Sequence, residues 1–289
     1  VSHLIVNADD FGLTSGVNRA ILELHGAGVL TSATLMARST ASAEAIAMAR
    51  ATPSLGVGCH IVLVDGDPVL PKCKLPTLVD QRTGHFHPTL GVFLQRLFTG
   101  RISVAEIEIE TAAQLSLLQG EGLALTHIDT HKHIHMLPAV LKPILRAAAN
   151  RGIRRIRNPF EPAWSRNATP RAPRLRRIQV HLLCRFRPTF DRIVATAGFA
   201  TTDGAIGVLA TGMLDAAAIG SLLREMPRGT WELVTHPGFS DSDLARARTR
   251  LVASRQTERD ALLTLRQFPA IEFISFEGLP ALSHPKACP

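Results

Sequence analysis

Short apolar runs alternate along this chain with longer stretches in which apolar positions recur at helical spacing. His3-Leu-Ile-Val-Asn-Ala8 reads as a strand, and Val17, Ile21 and Leu24 then fall on one face of a helix. Thr14 or Ser15 is its expected N-cap, and Gly26 and Gly28 its stop. The same alternation predicts strands at 32–37, 56–63, 123–125, 152–157, 231–235 and 271–275. It predicts helices at 41–51, 103–120, 138–150, 213–226 and 244–267. Residues 65–100 break the pattern with Pro68, Pro71, Pro76 and Pro88 and read as a loop-rich insertion over one mouth of the fold. Strand-helix alternation of this kind implies an α/β fold with a mostly parallel sheet and helices outside it. With no internal repeat and no low-complexity linker, residues 1–289 read as one domain.

Composition narrows this picture. A chain of 289 residues with 46% apolar content can bury a large core, and it lacks the 20-residue uncharged apolar run that a membrane span needs. Its first residues read as a strand and not as an export signal. Cys59, Cys73, Cys184 and Cys288 show no CxxC spacing, so free thiols in a cytoplasmic protein are the default. The net charge of +8 is local: 12 arginines face two acids between Arg151 and Arg192 (12 − 2 = +10), leaving −2 for the rest. Within that stretch Leu175, Ile178, Leu182 and Phe186 recur at helical spacing, so about 170–190 is expected to be a basic helix. Such a helix can lie on an anionic membrane surface, here the inner face, or can be an ordinary outer helix. Nucleic acid is disfavoured, because the chain has no tyrosine and only 5% aromatics for stacking.

Candidate chemistry gathers at strand ends, where parallel α/β folds place their working residues. Asp9-Asp10 follows the first strand, His60 lies in the third, and His236-Pro-Gly238 follows a late one. Thr126–Pro138 holds His127, Asp129, His131, His133 and His135 after a middle strand. Adjacent carboxylates repel, so the pair needs a cation or must share a proton. Each motif alone has a plainer reading: a helix-capping Asp-Asp, a core histidine, a turn. Period-two spacing puts His127 with Asp129, and His131 with His133 and His135 if the extended run continues, so spacing alone does not choose the ligand.

Taken in order, Val6-Asn-Ala-Asp-Asp-Phe-Gly12, Gly58-Cys-His-Ile-Val-Leu63, Thr126–Met136 and His236-Pro-Gly238 resemble the motifs of the YdjC-like carbohydrate deacetylases. The resemblance implies a distorted (β/α) TIM-like barrel, a divalent ion (zinc or magnesium), and hydrolysis of an N-acetyl group on an amino sugar. Carried over by position, Asp10, His60 and His131 would hold the metal, Asp9 would be the base and His236 the acid. Arg255 and Glu258 match a late helical pattern and would support Asp9 or His236, an exposed i,i+3 pair being the alternative. His127, Asp129, His133 and His135 are left as supporting or substrate-side residues. Leu63–Pro71 and Leu75–Asp80 most resemble the hopanoid-biosynthesis (HpnK) branch, which implies the N-acetylglucosaminyl headgroup of a glycolipid as substrate. Cys59 departs from the larger apolar residue usual there, and period two points it away from His60. Two imidazoles and a carboxylate leave open positions on an ion for water and an amide oxygen, as hydrolysis requires. The same donors suit iron(II) oxygenases. Further alternatives are a chitooligosaccharide-type deacetylase on soluble sugars and a non-catalytic lipid- or sugar-binding protein, with a homodimer left open.

Overall fold

The computed structural model describes residues 2–268 and 271–279. Among these, seven strands form one sheet: β1 (Ser2–Phe11), β2 (Ser32–Leu35), β3 (Gly56–Ile61), β4 (Ile128–Thr130), β5 (Gly204–Ile206), β6 (Gly229–Thr235) and β7 (Ile271–Phe273). Every pairing is parallel, in the order β4-β3-β2-β1-β6-β5, with β7 against the start of β1. Single parallel bridges, Ile128 to Ile156 and Arg155 to Ala200, continue the curl from β4 towards β5. The result is a distorted barrel-like α/β sheet, as expected. The helices are α1 (Ser15–Gly26), α2 (Ser42–Ala51), α3 (Leu90–Phe98), α4 (Val104–Gly120), α5 (Pro138–Ala149), α6 (Ala163–Asn167), α7 (Arg174–Leu183), α8 (Arg187–Thr196), α9 (Ala216–Arg224), α10 (Ser242–Arg246) and α11 (Ser254–Leu262). None is long and apolar enough to cross a membrane.

The two faces of β1 show how the sheet sorts its residues. Leu4, Val6 and Ala8 join the large apolar core, and the intervening Ile5 packs with Ala200, Phe276 and Leu279 in a small separate cluster. Strand periodicity puts Asn7 and Asp9 on Ile5's face. Along that face Asn7 meets His127 and Asp9, and His127 stacks on Phe276 with ring centroids 3.7 Å apart. This interior therefore grades from an apolar plug to a polar end. Gly58 leaves the space His127 needs, since a Cβ there would lie 2.6 Å from the ring.

Several predicted elements move. The 152–157 strand is reduced to two isolated bridges, one to Ile128 in β4 and one to Ala200. The helix predicted from 213 starts at Ala216, where Asp215 accepts a hydrogen bond from the Ala218 N–H. The long helix predicted over 244–267 splits into α10 and α11, followed by a 3-10 turn. Its break spans Arg248 and Arg250, which have no acid four residues away to support an exposed helix. The insertion is less irregular than predicted, since it contains α3. Its backbone is gripped by α4: Glu110 accepts from the Val69 and Leu70 N–H groups, and Glu106 from those of Thr77 and Leu78. Cys59, Cys73 and Cys184 are free thiols, and Cys288 lies outside the described residues.

Candidate functional site

Asp9 and Asp10 would point to opposite faces of a regular strand. They do not, because the register of β1 against β2 shifts between Ala8 and Phe11, and Asp10 sits at φ +64°. This bulge brings both carboxylates to the same end of the sheet. Asp65, Lys132 and His133 are the other non-glycine residues at positive φ among those described, and they flank the same region. Lys132 and Asp65 are ion-paired at 2.7 Å, tying the insertion to the histidine motif.

β4 is itself part of that motif, so the strand lies later than the predicted 123–125. After Thr130 the chain enters a 3-10 turn over His131–Met136, with left-handed backbone at Lys132 and His133. The extended run therefore stops, and His131, His133 and His135 do not share a face. His131 reaches the carboxylates: Asp10 Oδ1 lies 3.6 Å from both His60 Nε2 and His131 Nδ1, and these nitrogens are 3.3 Å apart. Donors bound tetrahedrally about 2.0–2.1 Å from a zinc-like ion stand roughly 3.3–3.4 Å from one another. Asp10, His60 and His131, widely separated in sequence, thus form a triangle of the right size for one divalent ion.

Behind the triangle, Asp129 Oδ1 is 2.8 Å from His60 Nδ1, which leaves Nε2 to offer its lone pair towards Asp10 and His131. Thr34 donates to the other Asp129 oxygen at 3.1 Å. Asp9, His60 and Asp129 form a second close grouping, but a guanidinium already serves its two carboxylates. Fully buried Arg157 lies 2.6 and 2.8 Å from the two oxygens of Asp9, 2.5 Å from Asp129 and 2.7 Å from Glu232. Arg255 is also fully buried and pairs with Asp10 Oδ2 at 2.5 Å, while Glu258 accepts the His236 backbone N–H at 2.7 Å. The reading of Arg255 and Glu258 as an exposed helix pair is thereby excluded. His236 Nε2 stands 3.8 Å from Asp9 Oδ2.

The electrostatics follow from this packing. Burial alone would raise Asp9, but the Arg157 guanidinium overrides it and holds the carboxyl far below the usual range. Asp10 is likewise held low by Arg255 against its own burial. Burial would depress His60, yet Asp129 lifts it to about 9 where no ion competes for Nε2. His236 is lowered to about 4 by burial, against the pull of Asp9 and Asp10. Burial pushes Glu232 and Glu258 up to about 8, so both are largely neutral near pH 7.

The remaining histidines have different places. His127 is fully buried between Thr126 Oγ1 (2.7 Å) and Asn7 Oδ1 (3.1 Å), and reaches Asp9 only through Asn7, which donates to it. His135 is also fully buried, against Thr130 and the Arg157 carbonyl. Neither is exposed at the surface. His133 does border open space, in an apolar cleft, and burial lowers it to about 3.

Arg157 and Glu232 were not singled out by sequence reasoning. Arg157 was counted in the basic stretch, although it ends a predicted strand just as Asp10 and His236 do. Glu232 is a lone acid in the apolar run Trp231–Val234.

The chain is similar to a carbohydrate deacetylase of Brevibacillus brevis, 44% identical over 149 residues, which are 50% of this chain and 55% of that protein. It thus spans about half the length of that relative. It spans far more of a carbohydrate deacetylase of Thermoanaerobacter pseudethanolicus, at 28% identity over 262 residues and 91% of each chain. The crystal structure of a proposed cellobiose-phosphate cleavage protein from Enterococcus faecalis V583 superposes with a TM-score of 0.73 at 25% identity, covering 96% of this chain and 98% of that one. The family profile described as YdjC-like protein matches residues 3–268, and the chain belongs to that family.

Proposed function

We propose that this chain is a metal-dependent hydrolase that removes the N-acetyl group from an N-acetylated amino sugar. The observation that carries this reading is the Asp10, His60 and His131 triangle beside a second carboxylate, Asp9, that Arg157 holds apart from the ligand set. A zinc or magnesium ion held there would supply Lewis acidity towards water and the amide carbonyl. Asp129 fixes the tautomer and direction of His60, and Arg255 orients Asp10.

The bond that forms joins the water oxygen to the acetyl carbon, and the bond that breaks is C–N, giving acetate and a free amine. Asp9, aimed by Arg157, receives the proton the water gives up and, because Arg157 disfavours its protonated form, passes it on and does not retain it. His236 supplies the proton the departing nitrogen needs. Burial makes it mostly neutral at pH 7, so its proton is acquired during the cycle, with Asp9 Oδ2 3.8 Å away as the source. A histidine that holds its proton so weakly is a strong donor once protonated.

The finer substrate in this reading is the N-acetylglucosaminyl headgroup of a hopanoid glycolipid, with α7 resting on the membrane. It is supported by the resemblance of residues 63–80 and by α7, whose Leu175 and Ile178 are 67% and 57% exposed beside arginines.

The test is acetate release from N-acetylglucosaminides by purified protein, with metal analysis of the same sample. Release that disappears on chelation and returns with zinc or magnesium is expected. Metal-loaded protein that leaves every N-acetylated sugar and glycolipid intact would end the hydrolase reading.

A further inference from the structure

Next to the proposed site lies a second, chemically different space. A cleft of about 510 Å³ runs between α3 and α7, within the size range of small-molecule pockets. Leu94 and Phe98 of α3 form one wall, and Leu182 with Phe186 the other. At its inner end stand Lys132 and His133, the two residues that follow the proposed ligand His131. Its rim stays apolar where it meets water: Phe98 is 70% exposed, Leu182 is 47% exposed, and α7 has no buried residue. Exposed apolar surface lining a concave, continuous groove marks a binding site more often than scattered surface leucines do.

We infer that this cleft binds an apolar group carried by the substrate itself, on the side of the amino sugar away from the N-acetyl group. The inference rests on the deacetylase reading and deepens it. Continuity argues for the occupant. Lys132 and His133 line the cleft directly after His131 in the chain, and His133 lies close enough to Asp9, His60 and His236 to feel their charges, so a group attached to a sugar at Asp10, His60 and His131 has Leu94, Phe98, Leu182 and Phe186 within its reach. A further sugar ring would bring hydroxyl groups to walls that offer few partners, and burying unpaired hydroxyls is unfavourable. An aliphatic group would gain from the same walls. Polar groups occur at the inner end: His133 Nδ1 is buried without a protein hydrogen-bond partner, and Lys132 carries a charge. That placement suits a molecule polar where it meets the site and apolar beyond.

The experiment compares methyl, butyl and octyl glycosides of N-acetylglucosamine, below their micellar concentrations, by acetate release and by titration calorimetry. Each methylene that enters the cleft should lower KM and Kd by up to about fourfold. Leu182→Glu and Phe98→Ser alter exposed side chains, so the fold should persist. Both should flatten the chain-length dependence and leave the methyl glycoside within about twofold of wild type. Calorimetry separates the two readings. Chain-length-dependent binding without acetate release would sink deacetylation and keep the cleft. Release without chain-length dependence would sink the cleft and keep deacetylation. Two other results overturn the inference. One is chain-length-independent binding of the glycosides together with Leu182-dependent binding to phosphatidylglycerol vesicles, which would make the groove a bilayer contact. The other is a dimer that Leu182→Glu dissolves, which would make it a subunit interface.

Discussion

Replacing Arg157 by methionine tests the largest electrostatic commitment in the protein. Its guanidinium directs Nε and both Nη groups to Asp9, Asp129 and Glu232, and all four side chains are essentially inaccessible. Methionine approximates the aliphatic stem but leaves the carboxylates unpaired. Removing one partner of a buried ion pair destabilises by about 3–5 kcal/mol. At roughly 2–4 °C per kcal/mol for a chain of this size, the melting temperature should fall by about 6–20 °C at pH 7. The sign of the pH dependence follows from Asp9. With Arg157 present its folded pKa lies below the ordinary 3.8, so its contribution is in place above 3.8 and is lost only as pH falls through the lower folded value. Without Arg157, burial, the largest influence on Asp9, is opposed only by His60 and His236, so its pKa should rise above 3.8 and the variant should lose stability as pH rises from about 4. The difference between wild type and Arg157→Met, read from urea unfolding between pH 4 and 8, should therefore widen with pH. A difference below about 1 kcal/mol, or one constant across that range, would refute the account of Arg157 as the buried counter-ion.

Asp9→Asn should retain bound metal in elemental analysis while acetate release falls by about 10²–10⁴; near-normal turnover would remove Asp9 from the role of base. Asp129→Asn should weaken metal binding by about 10–100-fold in competition with a chromogenic chelator, because His60 loses the partner that fixes its ring; unchanged affinity would show that Asp129 does not position it. Gly58→Ala places a methyl group against the His127 ring and should destabilise by about 1–3 kcal/mol in the same urea assay.

The neighbourhood of the candidate metal site was readable from the sequence because the strand-end rule is topological and needs only the order of elements, whereas the choice of His131 over its neighbours came from the family resemblance. Asp10, His60 and His131 converge as that rule requires, and the parallel sheet that brings them together follows from strand-helix alternation. What stayed hidden depends on tertiary context. An arginine among 12 in a basic stretch carries no mark of being the buried one, and only its position after Ile156, at the end of a predicted strand, set Arg157 apart. The equivalence of His131, His133 and His135 was lost to a backbone reversal at Lys132 and His133 that no side-chain periodicity encodes. Short elements were least legible, since residues 152–157 hold their place through isolated bridges.

The left-handed torsion at Asp10 narrows what evolution or an engineer can do there. Only glycine adopts it freely, with asparagine, aspartate and histidine following, so a longer acid such as glutamate would strain the main chain as well as overreach the ion. Asparagine is the informative exchange: it tolerates the same torsion and keeps the bulge, so any function it loses is lost through the charge and the acceptor oxygen that Arg255 or an ion would use. Chemistry and chain geometry can be separated at that residue, and few other substitutions there would do so.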